Sequence, residues 1–183
     1  MSEEGETKPM NKCGFLCAVL VAGLAGPALA QEQVVSTTIQ GKTITVKYAS
    51  PSMKGRKIFG GVVPMNQVWR IGDSSPAALH SDSDLVFYGL TIPKGDYSLY
   101  VLVDPTKWQL IINKQTGPKA ATYNAKMDVG RVPMTMGKAP APVETCKITL
   151  PKTAALAAKL ELSWENTIAS VPFHIDFAAD REW

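Results

Sequence analysis

Cysteine is scarce in this 183-residue chain, and two of its three cysteines, Cys13 and Cys17, fall within the first thirty residues. Only Cys146 remains beyond them, which excludes an intrachain disulfide there and leaves stability to a packed core. In the run Glu144-Thr145-Cys146-Lys147-Ile148-Thr149-Leu150, Cys146 keeps step with Ile148 and Leu150 at every second residue, so a buried, inert thiol is expected. Histidine is scarcer still. His80 and His174 stand apart with no paired carboxylate spacing, so a zinc or facial-triad iron site is not expected. Asp82-Ser83-Asp84 lacks the further ligands and the glycine of a calcium loop and reads as a solvated turn. No Gly-x-x-x-x-Gly-Lys phosphate loop and no Gly-x-Ser-x-Gly elbow occurs, and no cofactor is expected.

Long apolar runs are missing as well, apart from Cys13 to Leu24, which is shorter than the roughly 20 residues of a membrane span. Lys8 and Lys12 precede this run, Gly26-Pro27 breaks it, and Ala28-Leu29-Ala30 offers the small residues of a signal-peptidase site. Residues 1–30 therefore read as a cleaved export signal, with Gln31 as the mature N-terminus and a periplasmic or secreted destination. The acidic opening Ser2-Glu3-Glu4-Gly5-Glu6 is unusual for such a signal. Initiation at Met10 would remove it, so Met1 and Met10 both stand as candidate starts. No transmembrane segment is expected after cleavage.

Neither charge sign dominates what remains. Beyond residue 30 the chain holds seventeen basic and thirteen acidic residues, a mild excess without the clustered stripe of a nucleic-acid binder. Hydrophobic residues make up 45% and charged residues 19%, a balance that excludes a wholly disordered chain. The length suits one domain, residues 31–183.

What is present is alternation. Ile44, Val46 and Tyr48 face one way and Thr43, Thr45 and Lys47 the other, and Val34 to Ile39 precedes them across Gln40-Gly41 as the partner of a hairpin. Leu85 to Tyr88, Tyr97 to Val103, Trp108 to Asn113, Asp128 to Met136, Val143 to Leu150, Leu160 to Trp164 and Ile168 to Phe177 repeat the pattern between Gly, Pro and Asn signals. Roughly nine or ten short strands with little helix predict an all-β fold, an antiparallel β-sandwich. Lys138-Ala139-Pro140-Ala141-Pro142 reads as an extended connector, because its prolines lack amide donors for a central strand. Thr153 to Lys159, rich in alanine, has room for one helical turn.

The least ordinary stretch runs from Ser50 to Asp73 and holds four cations, four glycines and a tryptophan. Cations hold anions, arginine grips a carboxylate or phosphate with two hydrogen bonds, and a sugar stacks on an indole. Lys54, Arg56, Trp69, Arg70 and Asp73 are accordingly the candidate ligand-binding residues. The plainer alternative makes Trp69 and Ile71 core residues, with Arg70 paired to an acid. A hydrolase would draw on Ser74 or Ser75, His80, and Asp82 or Asp84, yet no spacing positions them, and no catalytic residue is assigned. His80 reads as a loop residue, and His174 lies on the strand face opposite Phe173 and Ile175.

Several of these pieces occur together in one order. Ser50-Pro51, Lys54-Gly55-Arg56, Ile58-Phe59-Gly60, Val63-Pro64, Val68-Trp69-Arg70-x-Gly72, Ile92-Pro93-x-Gly95-x-Tyr97-Ser98-Leu99, Trp108, Asn113-Lys114, Arg131-Val132-Pro133 and Leu162-Ser163-Trp164 resemble the exported bacterial family named domain of unknown function 2911. The resemblance implies a secreted or periplasmic β domain and brings no activity, substrate or catalytic residue with it. After Trp-Arg-x-Gly that family tends to carry Ala-Asn-Glu-Ala-Thr, where this chain has Asp73-Ser74-Ser75-Pro76-Ala77, so no loop chemistry transfers there. The expectation is an exported, non-catalytic binding or envelope-associated domain whose partner is a small molecule, a glycan or an envelope component, anionic or sugar-like. A secreted hydrolase is the alternative, and a purely structural or protein-interaction module is the third.

Overall fold

The computed structural model describes residues 31–73 and 75–177. The expected export signal in residues 1–30, and Ser74, lie outside the described residues. Strand β1 (Gln31–Ile39) pairs antiparallel with β2 (Lys42–Ser50) without a register shift, from Gln31 opposite Ser50 to Ile39 opposite Lys42. Gln40 and Gly41 turn the chain with φ of 48° and 77°, the left-handed pair whose twist matches that of the strands it joins. Strands β3 (Gln67–Arg70) and β4 (Ala77–Ser81) both pair with one edge of β7 (Gly95–Val103): β4 lies opposite residues 95–99 and β3 opposite residues 100–103. They therefore sit end to end, separated by the loop that carries Asp73. Strand β8 (Gln109–Asn113) takes the other edge of β7, and β9 (Asp128–Pro133) follows it. The resulting order is β1-β2-β4-β7-β8-β9.

The second sheet runs β10-β12-β5-β6, from β10 (Thr135–Thr149), β12 (Ala157–Asp176), β5 (Asp84–Phe87) and β6 (Leu90–Ile92), with β11 (Lys152–Ala154) paired to β12. Every strand pairing in both sheets is antiparallel. The two sheets pack face to face as the expected sandwich. From sheet one, Ile44, Val46, Leu79, Leu99 and Val101 meet Leu85, Phe87, Ile148, Leu162, Phe173 and Ile175 from sheet two, all of them buried. Burying each such side chain contributes about 1.5–3 kcal/mol. Cys146 is enclosed in the same layer, and burial pushes its thiol up to about 12, so it is inert as expected.

Several local expectations are corrected. The Pro140-Pro142 segment is not a connector between elements but part of the 15-residue β10. β10 is an edge strand, and its pairing with β12 skips from Lys138 to Val143, so neither proline is asked for a ladder hydrogen bond. Residues 153–159 form no helical turn. Lys152 pairs with Ala158 and Ala154 with Ala157 in a tight hairpin, because a segment this short has too little to offset helix nucleation. Leu160 to Trp164 and Ile168 to Asp176 belong to one 20-residue strand, Ala157–Asp176, in which Glu165, at φ 56°, bends the chain instead of ending it. His80 belongs to β4 and not to a loop. β3, β4, β6 and β11 were not expected as strands. Each has only three to five residues, too few for alternation to register.

One end of the sandwich is plugged by the segment between β2 and β3. Residues 58–63 close on themselves through Gly60 N to Val63 O, Val62 N to Lys57 O and Val63 N to Ile58 O, which drives Ile58, Phe59 and Val63 inward. Phe59 meets Trp108 edge-on with centroids 4.6 Å apart, Trp69 at 6.0 Å and Trp164 at 6.2 Å. Trp69 stacks on Trp164 at 5.8 Å. On the outer face of sheet one, residues 117–127 fold back over Tyr100, whose hydroxyl donates to Ala120 O at 2.6 Å. Among the described residues, no helix is long and apolar enough to cross a membrane.

Candidate functional site

After β2 the chain leaves sheet one and crosses to the edge of sheet two. Ser52 bridges Thr145, Cys146 N donates to Pro51 O at 3.0 Å, and Met53 N donates to Glu144 O at 2.8 Å. A tight turn follows, with Lys54 at φ 48° and Gly55 at φ 71°, closed by Arg56 N to Met53 O. The turn is fixed from both sides. Lys54 N donates to the Glu144 carboxylate at 2.9 Å, and the Arg56 guanidinium folds back onto the carbonyls of Met53 and Ser52 at 3.0 and 3.1 Å. Tyr48, nearly buried on β2, reaches across the gap and accepts Ile148 N at 3.0 Å, tying the two sheets together at this point.

Between the β1–β2 edge and β10 lies a cleft of about 670 Å³. Lys54, Arg56 and Lys147 line it, and Asp73 is the single carboxylate among its lining residues. Among the described residues none of the three cations forms an ion pair, so their charge is available to a ligand. Gln31, Gln33 and Thr145 add amide and hydroxyl groups to the wall. Such a site can hold carboxylate, phosphate or sulfate groups through charge-assisted hydrogen bonds.

The structure divides the five residues singled out from sequence. Lys54, Arg56 and Asp73 share this cleft, whereas Trp69 and Arg70 line a separate hollow of about 400 Å³ with Tyr100 and Tyr123. Trp69 packs against the core between Phe59 and Trp164, which is what the plainer alternative anticipated. Arg70, opposite Tyr100 on the outer face, donates to Ala121 O at 3.2 Å and pins the 117–123 segment to the sheet. The same segment is held from below, where Asp128 accepts Tyr123 Oη at 2.6 Å, Arg131 at 3.0 Å and Asn113 at 2.8 Å. Burial, then the Asp128 carboxylate, pushes the Tyr123 phenol up to about 12. Lys147 was missed in sequence. It stands on the wet side of an alternating strand like many lysines, and only the crossing of residues 51–53 onto β10 brings it into the same cleft as Lys54.

Of the hydrolase alternative's residues, Ser74 lies outside the described residues, and Ser75 lines a hollow with Glu32 and Tyr48, a different one from that lined by His80, Asp96 and Tyr97. His80 Nδ1 lies 2.8 Å from Asp96 and Nε2 lies 3.2 Å from Asp82, so both ring nitrogens are engaged by carboxylates, and among the described residues neither bonds a hydroxyl. Asp84 accepts Lys94 N at 2.8 Å. His174 is exposed on β12, opposite Val86. Among the described residues no group of three or more His, Cys, Asp or Glu is placed to hold a metal ion.

The two carboxylates, Asp96 first, raise the His80 pKa above its ordinary value. Its pairing therefore contributes stability in full below about pH 6.5 and loses it as pH rises through the raised folded value. The side chain is half exposed, so the contribution is small. A proton NMR titration should place His80 above about 6.5, and Asp96→Asn should lower it; a wild-type value at or below 6.5 contradicts the pairing.

Four aromatic residues of the motifs that resembled a family share one location. Phe59, Trp69, Trp108 and Trp164, spread over more than a hundred residues, meet in the plug, and Gly72 turns the chain between β3 and β4. No curated protein and no solved structure matches the chain. The family model described as Protein of unknown function (DUF2911) matches residues 30–173, which run from just before β1 into the last residues of strand β12, and the chain belongs to that family.

Proposed function

We propose that the chain is exported, loses residues 1–30, and serves in the periplasm or outside the cell as a non-catalytic module that binds an anionic ligand in the cleft between β1 and β10. The observation that carries this is the grouping of Lys54, Arg56 and Lys147 around one cleft with a single carboxylate, Asp73, and, among the described residues, no internal ion pair for any of the three. Three cations around one cleft outnumber its one lining carboxylate, and an anion among them offsets the excess positive charge. A neutral sugar is the weaker candidate, because the indole suited to stack on it, Trp69, already packs on Trp164. Envelope components bearing carboxylate or phosphate groups fit the expected location.

A ligand that binds only the folded state raises the melting temperature. Inositol hexakisphosphate and citrate should raise it, the more so at low salt, while neutral oligosaccharides should not. The triple variant Lys54→Glu, Arg56→Glu, Lys147→Glu should lose the response while melting cooperatively. An equal response in that variant, or one confined to neutral sugars, sinks the proposal.

A further inference from the structure

The edges of the two sheets are not equally protected. An edge strand exposes a row of unpaired amides and carbonyls, which proteins blunt with proline, lysine, bulges or short length. β10 carries Lys138, Pro140, Pro142 and Lys147 with two register shifts, and beside the cleft its Cys146 and Ile148 amides are already taken by Pro51 O and Tyr48 Oη. β9 holds Arg131 and Pro133 within six residues, and β6 is only three residues long. β1 has none of these devices. Its nine residues contain no proline and no cation, five of them are β-branched (Val34, Val35, Thr37, Thr38 and Ile39), and its register with β2 is unbroken. Among the described residues no strand pairs with its other side, and its Val34 is 60% exposed.

This open edge is also a wall of the cationic cleft, through Gln31, Gln33, Val34 and Val35. We propose that β1 and the cleft together receive an extended acidic peptide segment of a partner protein, which adds to sheet one as a further strand. The inference rests on the anion-binding function above and names its ligand class. Alternate residues of β1 direct their amide and carbonyl away from β2, and the peptide backbone pairs with them. Peptide side chains then alternate in direction, so every second one points to the cleft, where carboxylates meet Lys54, Arg56 and Lys147. A second copy of this chain is a poorer occupant. Its β1 offers one carboxylate, Glu32, and it would bring its own three cations against these.

The test is calorimetric titration of the purified protein with an end-blocked heptapeptide of alternating glutamate and valine. The comparisons are the same peptide N-methylated at alternate residues, in each of the two phases, and inositol hexakisphosphate. Binding of the parent peptide is expected, with one methylated form about tenfold weaker or worse, and with alternate amides of residues 31–39 newly protected from hydrogen exchange. Should both methylated forms bind as well as the parent while inositol hexakisphosphate also binds, strand addition is wrong and the anionic cleft stands. Failure of every anion to bind removes both. Concentration-dependent dimerisation with β1 amides protected, and no peptide binding, assigns the edge to a second copy and overturns the inference.

Discussion

Trp164→Ala is expected to destabilise the domain by about 3–5 kcal/mol, a large share of the roughly 5–15 kcal/mol by which a domain is stable at all. The indole is 2% exposed and fills the space between the sheets where the plug closes them. Removing it takes the stacking partner from Trp69 and the edge contact from Phe59, and it breaks the Nε1 hydrogen bond to Glu144 O at 3.2 Å. Phe59 and Trp69 cannot both move into the void, because Phe59 is fixed in a closed loop and Trp69 in a strand paired with β7. The cavity term therefore adds to the transfer term. For a chain of this length the melting temperature should fall by about 10 °C. Trp164→Phe, which keeps a ring in the cluster, should cost less than half as much. Denaturant unfolding checks both. A loss below about 1 kcal/mol for the alanine variant would mean that the plug is not part of the cooperative core.

Gly72→Ala should cost about 3 kcal/mol, from two causes at one position. The residue has φ of +143°, a conformation that only glycine adopts readily, and a Cβ there would stand 2.6 Å from Ser75 O. The neighbour is backbone, so no side-chain rotation relieves the contact. Gly72 follows β3 and belongs to the short loop to β4, two strands that share one edge of β7, so straightening it moves both strands and Asp73 with them. Gly55→Ala separates the causes. Gly55 has φ of +71° with open space around it, so only the conformational penalty applies and the cost should be about 1 kcal/mol. Equal losses at the two positions would show that the contact with Ser75 O contributes nothing.

The fold was legible where alternation ran long enough to count. Ile44, Val46 and Tyr48 are buried with Thr43, Thr45 and Lys47 on the other side, and Gln40-Gly41 turns the hairpin as its residue types require. Among the described residues twelve strands form where nine or ten were expected, since β3, β4, β6 and β11 are too short to alternate visibly and β12 joins two expected strands through Glu165. The candidate site was half legible. Composition singled out Lys54, Arg56 and Asp73, which meet, but also Trp69 and Arg70, which turn to the core and the outer face because adjacent strand residues point opposite ways. Neighbourhood in sequence gathered those two into the stretch, while Lys147, far along the chain from Lys54, joins the site through the crossing of Pro51–Met53 onto β10.

The claim that the β1–β10 cleft is the binding surface is tested most directly by amide chemical-shift mapping during titration with inositol hexakisphosphate. The largest shifts should fall on Lys54 to Arg56, Asp73 and Thr145 to Thr149, and they should shrink as salt is added. Shifts gathered instead around Arg70, Tyr100 and Tyr123, or around His80, or no shifts at all at millimolar ligand, would contradict it.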